Sequence, residues 1–410
     1  MGMIRQICLA TALVALGAAQ AGAQEMKAEV IHWWTSGGES AAVKVFADQF
    51  TEAGGTWVDS AIASGEAART AGINRIVGGD PPTAMQFNTG KQFDELVANG
   101  LLRDLDELAT QEHWQKVLPP AIVKAITRDG KVYAVPVNIH GQNWLWYNIK
   151  VFANARLEPP LSFADLIAIG PKLKDAGVIP LAQGGQPWQE RLLFNAVLLE
   201  EAGPEVYRKV LTGEAPDAVR SDGFRKAAQT FGELRGLVDE GSPGRNWNDA
   251  TNLVITDKAA VQMMGDWAKG EFIAAGDTPD QEYGCIILGG GYVMGGDVFV
   301  FPKIDDPAQK AAQDKLAEVM FAPQTQIEFN MKKGSVPVRL DVDVSDMDAC
   351  AQKGMAALRD PKQQIPSDNF LSTPDLVGAV QDAITQFWHN PSMTVDTFID
   401  NYASAVETAG

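Results

Sequence analysis

The chain has 410 residues, 46% hydrophobic and 21% charged, an ordinary globular composition with length for two domains of roughly 100–200 residues each. Its formal net charge of −18, with no basic stripe or run, argues against a nucleic-acid partner. The same charge disfavours an anionic ligand unless a local pocket overrides it.

The first element in chain order reads as an export signal. Arg5 supplies the positive end and residues 7–18 a short apolar stretch, too short to span a bilayer. Small residues follow, with Ala-x-Ala patterns at 19–21 and 21–23, so cleavage is expected near Ala23 and a mature chain from Gln24. Cys8 lies inside this segment and lacks the small-residue context of a lipid-attachment site. No later run approaches about 18 unbroken apolar residues, so a soluble mature protein is expected, located in the periplasm.

Strand and helix signals then alternate. Residues 30–33 predict a strand, and 39–53 a helix with Val43, Phe46 and Phe50 on one face and Gly54-Gly55 as its stop. Residues 57–62 predict a second strand, 67–77 a helix ending at Gly78-Gly79, 83–87 a third strand, and 91–98 a helix stopping near Gly100. This order implies a largely parallel sheet flanked by helices. Residues 133–138 and 144–148 are extended and aromatic-rich with no helix between them, as strands crossing between lobes would be. Helices are predicted at 163–176, capped by Ser162 and interrupted at Gly170-Pro171, and at 189–202 and 224–240, with Gly203 and Gly241 as stops. Residues 261–264 predict a buried strand. A glycine-rich stretch at 289–296 precedes an extended run at 298–301, and the C-terminal third is mainly helical.

Ten tryptophans are many for this length. Trp33 and Trp34 are adjacent at a strand end and must point to opposite faces, so one can rise into the crevice where open α/β sheets bind ligands. Indole faces beside hydrogen-bonding groups suit a sugar, with its apolar C–H faces and rim of hydroxyls. Glu39 follows at a helix entrance, where it either complements the helix dipole or accepts sugar hydroxyls. Asp297 is either a turn residue or a second such acceptor. Lys332-Lys333 reads first as a solvated charge pair. Gly289-Gly290-Gly291 lacks the Gly-Lys-Ser/Thr of a phosphate loop, and no Gly-x-Ser-x-Gly elbow occurs. A secreted hydrolase using Glu39 and Asp297 is the enzymatic alternative, and a weak one, because any carboxylate pair of this acidic chain could be nominated. His32, His113, His140 and His389 form no metal-ligand spacing, so neither metal nor cofactor is expected. Cys285 and Cys350 are either one disulfide or two buried thiols.

Four stretches together carry a resemblance. They are residues 30–39, from Val30 through Trp33-Trp34 to Glu39; 135–148, with Val135-Pro136-Val137-Asn138 and Trp144-Leu145-Trp146; 265–270, Gly265-Asp266-Trp267-Ala268-Lys269-Gly270; and 333–339 with Asp348-Ala349-Cys350. In combination they resemble the periplasmic solute-binding proteins of carbohydrate ABC transporters (extracellular solute-binding protein family 1), nearest the glucose-binding branch. The resemblance implies an α/β, two-lobe periplasmic-binding-protein-like (type II) fold with hinge-crossing strands. Residues 24–138 plus about 297–325 would form the N-terminal lobe, and 139–296 plus about 326–410 the C-terminal lobe. It implies a sugar in the cleft held by Trp33, Trp34, Glu39, Asp297 and Lys333, with Trp267 as a platform on the opposite lobe, and lobe closure over it. Two positions depart from the glucose binders. Asn88 stands where they place a lysine, and Asp368, in Ser367-Asp368-Asn369-Phe370, where they place a histidine. Both changes remove cationic donors, leaving another aldose, a pentose, a polyol or a small disaccharide open beside glucose. The implied partners are membrane permease subunits of an ABC importer; a monomer is expected, and service to a chemoreceptor is a further reading.

Overall fold

The computed structural model describes residues 26–410, so the expected export signal, its cleavage point and Cys8 lie outside the described residues. The described strands are β1 (Lys27–His32), β2 (Thr56–Ala61), β3 (Ala84–Asn88), β4 (Thr127–Arg128), β5 (Lys131–Val132), β6 (Ala134–Pro136), β7 (His140–Gly141), β8 (Trp144–Asn148), β9 (Ile179–Leu181), β10 (Ala259–Met264), β11 (Tyr283–Ile287), β12 (Tyr292–Gly295), β13 (Asp297–Val300) and β14 (Gln364–Pro366). The first sheet has the order β2-β1-β3-β13-β6. Its β1, β2 and β3 are parallel, as the alternating strand and helix signals predict, and β13 runs antiparallel to both β3 and β6. The second sheet has the order β11-β8-β10-β9 and carries the helices of the other lobe. A third, small sheet, β14-β12-β7, lies at the passages between them.

The helix Gly37–Glu52 presents Glu39 to the site. Ser36 caps it: its hydroxyl accepts from the Glu39 N–H at 3.4 Å and its own N–H donates to the Glu39 carboxylate at 3.5 Å. This reciprocal pair satisfies two donors that a helix start otherwise leaves open. Ala42, Val43, Phe46 and Phe50 are buried along one stripe.

Two passages between the lobes run side by side. The Val137 N–H donates to the Asp297 carbonyl at 3.0 Å, and the Asp297 N–H to the Asn138 side-chain oxygen at 2.7 Å. A third passage lies later than expected. The helix Pro323–Lys333 packs on Gly37–Glu52, with Phe329 stacked on Phe46 at 4.3 Å between ring centroids. Arg339 donates to the Phe321 carbonyl, and the Leu340 N–H to that of Val117. The boundary drawn at 325/326 therefore cuts through material packed on the first sheet, and the chain stays with that sheet to about residue 341. The lobes also meet directly. The Gly38 N–H donates to the Glu271 carboxylate at 2.8 Å, and a Cβ on Gly38 would lie 2.5 Å from the Gly270 carbonyl carbon.

Two helix expectations change. Pro171 does not interrupt Phe163–Asp175; it forgoes one backbone bond, and buried Phe163, Leu166 and Leu173 hold the helix through. Gly203 (φ 76°) leaves the helical conformation and divides Pro187–Thr212 into two helices, at the stop expected there. Asp222–Leu234 ends earlier than 240, tightening into a 3₁₀ turn at Arg235–Leu237.

Cys285 on β11 and Cys350 in the helix Ala349–Arg359 are disulfide-bonded, 65 residues apart. This resolves the alternative left open by the sequence. Closing a loop of that length removes denatured-chain entropy equivalent to about 4 kcal/mol. The double variant Cys285→Ser/Cys350→Ser is expected to unfold in urea with a free energy lower by about 2–4 kcal/mol; equal midpoints and slopes for variant and oxidised protein would contradict a stabilising bond.

Candidate functional site

The site is organised around Asp297, the first residue of β13, which is only 3% exposed. One carboxylate oxygen accepts from Gln86 Nε2 at 3.1 Å. The other accepts from Asn138 Nδ2 and His140 Nε2, each at 2.9 Å. The second ring nitrogen of His140, Nδ1, faces Asp266 in a short contact. Asp266 also accepts from the Gly141 N–H at 2.8 Å and from the Tyr292 hydroxyl at 3.4 Å. Asp266 follows β10 of the second sheet, so the imidazole links carboxylates from both lobes.

Both nitrogens of His140 meet carboxylates, and its protonation follows from that. Burial pushes the imidazole pKa down, but the charge and hydrogen bond of Asp266, then those of Asp297, raise it above its ordinary value. Burial pushes Asp297 up; the His140 hydrogen bond and charge, the Lys333 charge and the Asn138 amide outweigh this and hold it below the usual carboxylate range. Lys333 is itself buried. It donates to Glu39 at 3.1 Å and lies 5.7 Å from the Trp34 ring centroid.

The two adjacent tryptophans part company, as strand alternation requires. Trp34 is 1% exposed and packs among Phe46, Phe299 and Phe329, so its ring backs Lys333 from the core side. Trp33 stays partly exposed, and its N–H donates to Gln86 Oε1 at 3.1 Å; Gln86 thereby connects it to Asp297. Trp267 stands on the second lobe, partly exposed, edge-on to His140 at 5.0 Å and 6.2 Å from Trp188.

Asn88 lies opposite Asp297 in the β3–β13 register, its N–H donating to Gln92 Oε1 at 3.1 Å. Gln92 in turn donates to Asn369 at 3.3 Å. Asp368 is ion-paired with Arg191 and accepts from Asn195 Nδ2 at 3.0 Å and from the Asn369 N–H at 2.8 Å. The fold thus gathers Trp33, Glu39, Asn88, Trp267, Asp297, Lys333 and Asp368 along one seam, with Trp34 behind it. Among the described residues, the buried side-chain oxygens of Thr89, Ser367 and Asn195 find no hydrogen-bond partner.

Gln86, Arg69 and Arg191 were not singled out from the sequence; Asn138, His140 and Asp266 lay there inside matching stretches, and His140 was also one of four histidines without metal-ligand spacing. The available signal was period-two spacing: Asn138 and His140 alternate on an extended segment, so both can face one side. The space among Asp266, Trp144, Trp146 and Tyr292 is too tight to admit a water molecule and belongs to the packing between elements, not to a ligand pocket. Among the described residues, no group of three His, Cys, Asp or Glu side chains is arranged to hold a metal.

A family model described as bacterial extracellular solute-binding protein matches residues 34–327. A probable sugar-binding periplasmic protein of Mesorhizobium japonicum is 37% identical over 418 aligned positions, covering 99% of this chain and 100% of that one. Two solved structures share the fold. A chitin oligosaccharide binding protein superimposes with a TM-score of 0.80 at 16% identity, covering 94% of this chain and 99% of its own. The solute receptor AcbH, described as exclusive for β-D-galactopyranose, gives 0.78 at 19%, covering 93% and 98%.

The raised pKa of His140 sets a direction for stability against pH. Its contribution is fully present below the unfolded value of 6.5 and is lost as pH rises through the higher folded value. Urea unfolding is expected to show His140→Gln less stable by about 3–5 kcal/mol near pH 6, because one partner of a buried ion pair is gone. That gap should narrow in the alkaline range. A gap independent of pH would mean the imidazole is not the charged partner of Asp266 and Asp297.

Proposed function

The chain belongs to the bacterial extracellular solute-binding proteins, and from that premise we propose that it carries a monosaccharide, a glucose-like aldose or a related sugar, in the cleft between its lobes. It is a sugar-binding periplasmic component of an ABC transporter and not an enzyme. One observation supports the monosaccharide reading above the rest. Two partly exposed indoles, Trp33 on the first lobe and Trp267 on the second, flank the Gln86–Asp297–His140 relay. Apolar ring faces on two sides of a line of fixed donors and acceptors match the C–H faces and hydroxyl rim of one pyranose.

Hydrolysis fits this geometry poorly. A general acid needs a carboxyl with a raised pKa, whereas Asp297 is lowered, and Glu39 is committed to Lys333 and the Ser36 N–H. The relatives named above for a galactopyranose and for chitin oligosaccharides share one fold, so specificity rests on side chains such as Asn88 and Asp368. We further propose a cleaved export signal ending near Ala23, a monomer docking on permease subunits, and lobe bounds as drawn from the sequence with residues 326–341 moved to the first lobe.

Isothermal titration with a panel of monosaccharides and disaccharides tests the site. Trp33→Ala and Glu39→Ala are each expected to weaken the tightest sugar by about 1–3 kcal/mol. Unchanged affinity in both variants would rule out this site, and release of product from a glycoside over time would rule out a pure carrier.

A further inference from the structure

We propose that the cargo is an acidic sugar of the hexuronate class, with Arg69 as the residue that selects its carboxylate; this rests on the sugar-carrier reading above. Arg69 sits in the helix Gly65–Val77, its guanidinium carbon 5.7 Å from the centroid of the Trp33 ring. Its Nη1 is 3.2 Å from the point where a Cβ on Gly65 would lie, so the side chain is folded down against the indole. Stacking of this kind leaves the guanidinium edge, with its fork of donors, free to meet a planar anion.

What distinguishes Arg69 is its lack of compensation. Arg75, Arg103, Arg128, Arg245 and Arg339 each meet a carboxylate in a salt bridge. Arg69 is partly buried and makes no hydrogen bond or salt bridge among the described residues; exposed Glu66, three residues earlier on the same helix, acts on it only through its charge. Burial therefore pulls its pKa down. A second cation faces it. Arg191 lies on the helix Pro187–Thr212 of the other lobe, one turn beyond Trp188, and the Arg69 charge reaches it. Asp368 balances Arg191 and is fully occupied by Arg191, Asn195 and the Asn369 N–H. Arg69 is left without a carboxylate partner beside the indole.

A desolvated, unpaired cation is costly, and a monoanion arriving with the ligand offsets that cost. A carboxylate fits both the unpartnered guanidinium and the geometry of its fork. This is also the local override that an acidic chain of net charge −18 needs before it takes an anion.

The test compares matched pairs, D-glucose with D-glucuronate and D-galactose with D-galacturonate, by titration calorimetry on the intact protein, Arg69→Gln and Arg69→Lys. The uronate of at least one pair is expected to bind about tenfold or more tightly than its aldose. The two affinities should converge in Arg69→Gln, and Arg69→Lys should keep part of the difference. An aldose that binds as well as its uronate in both pairs overturns the proposal while leaving the sugar carrier intact, as does a uronate preference that survives Arg69→Gln. Binding of no sugar across a wider panel overturns the carrier reading and this proposal with it. Should Arg69→Gln fail to fold, the unaltered protein and Arg69→Lys still decide the matter.

Discussion

The rest of the site depends on one imidazole held between two carboxylates. His140 reaches Asp297 at the head of a first-sheet strand and Asp266 beyond a second-sheet strand, and all three groups are buried. A buried carboxylate stays ionised only if it is paired and hydrogen-bonded, and here one cation serves two of them. The arrangement fixes the orientation of Asp297, because His140, Asn138 and Gln86 use its oxygens from defined directions. Gln86 extends the order to Trp33, and the Lys333 charge reaches Asp297 from the Glu39 side. Polar groups that would otherwise need water thus hold one another in place.

This interlocking explains why functional and structural roles are hard to separate here. Glu39 closes the capping box of its helix and neutralises Lys333. Lys333 lies over Trp34, which is a core residue. Gly334, directly after it, has φ 89°, and a Cβ there would lie 2.4 Å from the Asp266 carbonyl oxygen, so only glycine lets the two lobes approach at that point. A side chain near such a seam serves the fold even where it also faces the cleft.

Much of this was legible in the sequence, and the exceptions have physical causes. The parallel β1–β3 order, the helix entrance near Glu39 and the strand-end position of Trp33 follow from local periodicity and stop signals; the Ser36 cap that starts the helix two residues earlier was not read from the sequence. Alternation also shows that Trp33 and Trp34 diverge. It does not say which turns inward; that depends on Phe299 and Phe329, which lie some 265 residues and more downstream. The Glu39–Lys333 pair spans 294 residues, and no local signal marks Lys333 as buried. Gly170-Pro171 looks like a break because proline forfeits a backbone bond, yet the apolar face of Phe163–Asp175 carries the helix past it. His140 reads as one of four scattered histidines until β13 and the turn after β10 bring carboxylates to both of its nitrogens.

The contact between the Gly38 N–H and Glu271 has a consequence for how such a carrier partitions between states. It joins the lobes with no sugar group in the bond, so any opening that separates the two groups must break it without help from cargo. The equilibrium constant between open and shut molecules then multiplies the intrinsic affinity, and cargo need supply only the remaining difference. The same constant fixes how many molecules are shut while empty. A bond between the lobes that cargo does not make contributes, wherever opening breaks it, to both the apparent affinity and the fraction of carriers shut while empty.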